Sequence, residues 1–332
     1  MTHRVAAIDC GTNSIRLLIA DISSEQDDRG SRGSTTHAQP ALPSLTDVAR
    51  DMRIVRLGEG VDRTGRLSAP ALDRTMTALR EYAGLITEAK PQAIRMVATS
   101  AIRDAANSRE FTNRVVDVLG IEPEVISGDE EAALSFSGAT KELAGTSLAA
   151  ENACSPPYLV TDIGGGSTEF IVGGPEEVIG ARSVDIGCVR LTERQLHTDP
   201  PTVAEVNRTL ADIDIALDVV AGFVPVSQAR TLVGLAGSVT TVAAIALGLE
   251  SYDSSRIHHS RVSAGQVHEI AGGLLAMTRV ERAALPVMHP GRVDVIGAGA
   301  LVLDRIMNRF EFAEVLVSEH DILDGIAWSL VP

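Results

Sequence analysis

The sequence predicts an α/β protein of two domains, each a mixed sheet flanked by helices. Three observations predict it. The chain has 332 residues, beyond the size at which one hydrophobic core keeps growing. Short apolar runs alternate with amphipathic segments along its length, the pattern of strands and helices that share a sheet. One unit also occurs twice: an apolar strand ends in Asp, then come glycine and hydroxyl side chains, then a second apolar strand. The copies span Val5 to Ile19 and Tyr158 to Val172, and their separation of roughly 150 residues suggests two related domains facing one site.

The elements follow in order. Val5 to Ile22 reads as a strand pair. Ser23 to Pro43 is polar, rich in Gly, Ser and Pro, and without periodicity, so a disordered loop at a hairpin tip is expected. Strand character resumes at Met52 to Arg56. Ser68 is placed as an N-cap, with Pro70 in the first turn. Leu72, Met76, Leu79, Ala83 and Ile86 then recur at helical spacing. Ile94 to Ala98 reads as a strand. Ser108 is placed as the cap of a helix carrying Phe111, Val115 and Leu119, stopped by Gly120. Glu124 to Ile126 is a short strand, and Ser127-Gly128-Asp129 opens a helix running to about Leu143. Further strands are expected at Tyr158–Thr161, Glu169–Val172, Ala181–Val184, Thr231–Leu235 and Val315–Val317. Further helices are expected at Thr202–Val220, Ser238–Leu247, Ala264–Met277, Val295–Phe310 and Asp321–Leu330. The boundary is placed near Ser127: residues 1–127 with 319–332 form the first domain and 128–318 the second.

Composition bounds the function. Hydrophobic residues make up 45% and charged residues 22%, values of an ordinary globular protein. No apolar run approaches the ~18–20 residues of a membrane span, and no basic-then-apolar leader opens the chain, so a cytoplasmic protein without membrane contact is expected. The net charge of −15 argues against general nucleic-acid binding. Cys10, Cys154 and Cys188 show no metal or redox spacing and read as small buried fillers. His258 and His259, if on a strand, point to opposite faces and make a poor metal pair.

The strongest single signal is Asp162-Ile163-Gly164-Gly165-Gly166-Ser167-Thr168-Glu169. Consecutive glycines let backbone N–H groups converge on one point. Ser167 and Thr168 add hydroxyls, and Asp162 and Glu169 supply hard oxygens suited to Mg²⁺. The first copy, Asp9-Cys10-Gly11-Thr12-Asn13-Ser14-Ile15-Arg16, is weaker alone but reinforces a phosphate-handling cleft. Thr99-Ser100-Ala101-Ile102-Arg103 puts hydroxyls at a strand end with an arginine beyond, a set that can wrap a phosphate. Gly237 and Ser238 sit at a helix start, which also suits phosphate. Glu130 and Glu131 open a helix after a strand. One can complement the helix dipole while the other, about 100° around, faces elsewhere, where it could activate a water.

Together these motifs resemble the exopolyphosphatase / guanosine pentaphosphate phosphohydrolase (Ppx/GppA) family, of the actin, sugar-kinase and heat-shock ATPase superfamily. The residues carrying the resemblance are Ile8–Ser14, Ala98–Arg103, Ile126–Ala132, Asp162–Glu169, Gly187-Cys188, Gly237–Thr241 and Gly297–Ala300, in the family's order. The resemblance implies two actin-like (ribonuclease H-like) domains with the ligand cleft between them. It implies Glu131 as catalytic base and Asp162 and Glu169 as ligands of Mg²⁺, with Mn²⁺ as substitute. It implies phosphate binding by Gly11, Thr12, Asn13, Ser14, Arg16, Thr99, Ser100, Arg103, Gly164, Gly165, Gly166, Ser167, Thr168, Gly237 and Ser238. Cys10 and Thr12 replace a more usual aliphatic residue and Ser. The run Asp321 to Gly325 lacks the Arg-Glu common before that glycine, so no role is carried over there. Ending at Pro332, the chain reads as a short form without the C-terminal HD-type domain of longer members, and short or intermediate chains are the expected substrates.

Exopolyphosphatase is the leading expectation, with inorganic polyphosphate as substrate. Guanosine pentaphosphate (pppGpp) hydrolysis is the alternative, since both would use one site, and pppGpp or ppGpp would then be substrate or inhibitor. An ATP-dependent small-molecule kinase and an inactive phosphate sensor are further classes. A second copy of the chain is an expected partner. Facing loops on two domains predict a cleft that is open or partly open without ligand and closes on substrate.

Overall fold

The computed structural model describes residues 2–23, 44–143, 154–175 and 177–331. The segment from Ser24 to Pro43, expected to be a disordered loop, lies outside the described residues.

Two mixed sheets organise the chain. The first has the order β3-β2-β1-β4-β5, from β1 (Thr2–Cys10), β2 (Ser14–Ser23), β3 (Ser44–Ile54), β4 (Ala93–Ala98) and β5 (Glu124–Val125). The second has the order β10-β11-β9-β6-β7-β8, from β6 (Tyr158–Ile163), β7 (Thr168–Gly173), β8 (Val178–Val184), β9 (Thr231–Leu235), β10 (Arg261–Ser263) and β11 (Glu314–Val317). Both begin as an antiparallel meander, β1-β2-β3 and β6-β7-β8, and both add parallel strands beyond the first one. The repeated sequence unit is thus one hairpin used twice. In it Asp9 lies opposite Arg16 and Asp162 lies opposite Glu169.

Burial explains the apolar runs. Every residue of β6 and β7 is buried, because helices cover both faces of the sheet. The helix Ala69–Ala89 starts at the Ser68 cap, whose side chain accepts from the Ala71 N–H, and buries Leu72, Met76, Leu79 and Ile86. Tyr82, not Ala83, fills its central position and donates to the Ile15 carbonyl at 3.1 Å. No described helix is long and apolar enough to cross a membrane.

Several local expectations differ. Asn107, not Ser108, precedes the helix Ser108–Leu119, and its amide ties to both backbone groups of Leu67 instead of capping. β3 begins at Ser44, since pairing with β2 extends it well before the expected start at Met52. His258 and His259 are not on a strand: they follow the short helix Ser254–Ile257, His259 has φ 61°, and their rings stack at 3.7 Å.

The helix Gly128–Leu143 has two partners. Ala132, Phe136 and Ala139 pack with Tyr158, Val160 and Ile171 of the second sheet. Leu134 joins Val5, Ala7, Leu18 and Ala20 of the first sheet together with Ile326 and Ala327. The helix Ile322–Trp328, which supplies those last two, crosses it almost backbone to backbone. A Cβ on Gly138 would lie 1.8 Å from the Asp321 carbonyl oxygen, and one on Gly325 would lie 2.0 Å from that of Leu134.

Candidate active site

The two hairpin tips are closed alike. Gly11 N–H donates to the Ser14 carbonyl at 2.9 Å, and Gly164 N–H to the Ser167 carbonyl at 3.1 Å. The tips then meet. A Cβ on Gly166 would lie 2.4 Å from Ser100 Oγ and 2.7 Å from Thr12 Oγ1, and one on Gly187 would lie 2.3 Å from the Gly165 carbonyl oxygen. Only glycine permits these approaches, of Gly166 to the two hydroxyls and of Gly187 to the Gly165 backbone.

Between the tips lies a cavity of about 100 Å³. It gathers nearly all the residues the sequence singles out: Gly11, Thr12, Asn13, Ser14, Arg16, Thr99, Ser100, Glu131, Asp162, Gly164, Gly165, Gly166, Ser167, Glu169, Gly237 and Ser238. Thr168 and Arg103 do not line it. The Thr168 hydroxyl donates to the Ile186 carbonyl at 3.1 Å, because strand alternation turns it away from the tip. Arg103 donates to the Ile126 carbonyl at 2.9 Å and to Glu131 Oε2 at 3.2 Å, so it holds a carboxylate where a phosphate contact was expected. Arg16 is in the cavity wall, but Asp9 holds it at 2.6 Å and Asp321 from the other side.

Four buried carboxylates face this space. Ser135 donates to Asp162 at 2.8 Å and Ser183 to Glu169 at 2.7 Å, fixing both side chains. Burial pushes Glu131 up to about 8, with the charges of Asp9 and Asp162 adding and Arg103 opposing. Burial, then Asp321, raises Asp162 to about 6 against the pull of Arg16. Burial with the charges of Glu131 and Asp162 holds Glu169 well above the ordinary range. Asp9 is raised by burial despite its ion pair with Arg16, and its Oδ1 is buried with no hydrogen-bond partner. Crowded anions with a spare hard oxygen suit a divalent cation. Among the described residues no three His, Cys, Asp or Glu side chains form a metal-holding group, so water and substrate oxygens would complete any such shell. Cys188 lines the cavity, but burial raises its thiol and Cys10's more strongly, and a thiol kept protonated is no nucleophile.

Two contributors escape the motif reading. Arg292 lies flat on Gly237, where a Cβ would be 2.3 Å from its Nη2, and donates to Thr241 Oγ1 at 3.1 Å. It belongs to no local motif and reaches the site only through the fold. Asp321 caps the helix Ile322–Trp328 in a reciprocal box with Asp324, and the Asp-x-x-Asp spacing could have signalled that cap.

One flank of the cleft is bridged by charged side chains. Arg190 donates to the Gly166 carbonyl at 2.8 Å and to Asp62 at 2.7 Å, and also pairs with Asp104. Arg194 joins Asp62 at 2.8 Å, and the Gly60 N–H donates to Glu193 at 3.1 Å. Charges from both sheets' halves thereby close one flank.

A profile of the Ppx/GppA phosphatase family matches residues 36–332. Exopolyphosphatase 2 of Mycobacterium tuberculosis is 48% identical over 98% of this chain and 98% of its own length. A Guanosine-5'-triphosphate,3'-diphosphate pyrophosphatase of Aeromonas salmonicida is 28% identical over 98% of this chain and 59% of its own length. The crystal structure of an exopolyphosphatase-like protein matches with a TM-score of 0.87 at 41% identity, covering 98% of both chains. That of the Aquifex aeolicus Ppx/GppA member matches at 0.75 and 30%, covering 99% of this chain and 98% of that one. Agreement over nearly the whole length, at the level of sequence and of fold, places the chain in the Ppx/GppA phosphatase family.

Proposed function

We propose that this chain is an exopolyphosphatase, a hydrolase that releases the terminal phosphate of inorganic polyphosphate. The observation that carries the reading is the position of Glu131: a buried carboxylate with raised proton affinity, held by Arg103, facing the cavity where two glycine-rich tips converge. The 48% identity to a protein named exopolyphosphatase supports it.

In this reading the tip amides and the hydroxyls of Thr12, Ser100 and Ser167 orient the terminal phosphate. Glu131 takes a proton from water as the water oxygen attacks phosphorus, and the bridging P–O bond breaks so that the shortened chain leaves with the electron pair. Asp162 and Glu169 would hold Mg²⁺, which supplies charge neutralisation to the phosphate oxygens when bound. A second reading, hydrolysis of pppGpp, is supported by the Aeromonas relative's name. Phosphate release from polyphosphates of graded length and from pppGpp, with Mg²⁺ and with chelator, tests both. Release from polyphosphate that needs the cation is the expected result. No release from any chain length would overturn the reading, and release from pppGpp alone would replace it with the second.

A further inference from the structure

The helix Val203–Phe223 packs on the second sheet and leaves its outer face bare. Inward, Thr209, Ile213, Leu217 and Val220 are buried, and the last three join Leu159, Phe170 and Val172 of the sheet in one core. One flank is held by the helix Ile296–Arg309, through the ion pairs Arg305–Asp214 and Arg309–Asp218. The other is held through Asp212, which accepts from Gln195 at 2.8 Å. Outward, Ile215 is 66% exposed and Phe223 64%, with Val219 exposed between them. The outer face of a solvated helix is ordinarily polar. Three large apolar side chains, one turn apart, are the mark of a surface that packs against a partner.

The same face has a period. Ala204, Arg208, Ala211, Ile215, Asp218 and Gly222 are all exposed and follow one another in steps of four and three, the spacing of a seam between two helices. Their order points to the partner. Laid antiparallel on a second copy, with a two-fold axis at the level of Ile213, the helix sets Ala211 opposite Ile215, Arg208 opposite Asp218 and Ala204 opposite Gly222. The large side chain meets a small one, and each charge meets its opposite. A parallel pair in register would set Arg208 on Arg208 and Asp218 on Asp218, where like charges repel. Both charged groups are available: Arg208 bonds to the Gln195 amide oxygen at 3.3 Å, not to a carboxylate, and the Asp218 side chain stays 69% exposed beside Arg309. We propose that the protein self-associates through this face, as a two-fold dimer whose helices Val203–Phe223 pair antiparallel. At 21 residues the helix is about 30 Å long. One such pair covers less than the roughly 1,200–2,000 Å² of a stable interface, so a micromolar dissociation constant is expected.

Sedimentation velocity of the full chain from about 1 to 100 μM brackets that constant and should show monomer passing to dimer. Ile215→Glu, which puts a carboxylate in the central layer, should leave monomer throughout. Arg208→Glu alone and Asp218→Arg alone each bring like charges together and should weaken the dimer by at least about tenfold. Mixing those two variants in equal amounts should restore it, because every layer of the mixed dimer again sets a carboxylate opposite an arginine. Far-UV circular dichroism checks that each variant keeps its helices, and all three positions are exposed. An unaltered chain that stays monomeric to about 100 μM, far above a micromolar constant, would overturn the proposal and leave the face to a different protein. A dimer that survives Ile215→Glu would overturn it by placing the contact elsewhere. A mixture no more dimeric than its two components would overturn the antiparallel register.

Discussion

Glu130 and Glu131 are neighbours in sequence and live in different media. Glu130 pairs with Arg95 at the surface at 2.8 Å. Glu131 is buried, and burial raises it to about 8. Glu131→Gln should therefore cost about 10²–10⁴ in turnover, the usual contribution of a general base, while Glu130→Gln should cost little. In the unaltered enzyme kcat/KM should rise with pH up to about 8, because the base works only once deprotonated. Saturating Mg²⁺ should move that limb to lower pH, since a nearby cation favours the carboxylate. A flat profile would remove Glu131 from the role. At this scale the sequence was legible as to place: Glu131, Asp162 and Glu169, singled out from their motifs, all line the cavity. It was misleading at Arg103 and Thr168, whose partners, Glu131 with the Ile126 carbonyl and the Ile186 carbonyl, are set by packing. It was silent at Arg292, whose contact with Gly237 joins distant parts of the chain.

Elements were legible where hydrophobic period and end signals agreed. The helix Ala69–Ala89 has both, from its Ser68 cap to its buried stripe. β10 has neither: it is Arg261–Ser263, paired only at the sheet edge with β11, and so went unread. The crossing of the helices Gly128–Leu143 and Ile322–Trp328 was also invisible, because a glycine in a helix looks like a weak helix former until its neighbour is known. Gly138→Ala tests the crossing. Its methyl would lie 1.8 Å from the Asp321 carbonyl oxygen, and backbone cannot rotate away as a side chain can. Destabilisation of about 1–3 kcal/mol is expected, the range for overpacking, read by urea unfolding. The same change at Gly272, which has nothing within 4 Å, should be neutral or slightly stabilising. Equal behaviour of the two would mean the helices are not in backbone contact.

Across the whole molecule, the buried carboxylates set a dependence of stability on pH. Glu131, Asp162 and Glu169 hold their protons more tightly folded than unfolded. The folded state therefore binds more protons than the unfolded state, and stability falls as pH rises. The fall should begin near the unfolded values of about 4 and continue through the folded values of about 6 for Asp162 and about 8 for Glu131. Tm should drop over that window without metal, and Mg²⁺ should flatten the drop by binding the ionised forms. A Tm that rises steadily to pH 8 would contradict the cluster. The bridged flank makes a second global prediction. Asp62→Asn combined with Asp104→Asn removes the two nearer carboxylate partners of Arg190, leaving Asp185 at 3.7 Å and its bond to the Gly166 carbonyl. The scattering radius should grow and KM for tripolyphosphate should rise by several-fold, about the effect of losing a few partly screened pairs. An unchanged radius would mean that the facing tips alone hold the halves together.

The paired hairpins carry a last consequence. At matching places in the two copies, Asp9 faces Arg16 and Asp162 faces Glu169. The first copy pairs opposite charges, with Asp321 as a second partner of Arg16 from outside the hairpin. The second sets two carboxyls opposite each other, and burial raises the proton affinity of both. One molecule thus contains both an experiment and its control, written in the same backbone register. Glu169→Arg would rewrite the second copy in the image of the first. That variant should keep its fold, lose hydrolysis, and show a Tm that no longer responds to Mg²⁺, as expected of a hairpin that has become its own salt.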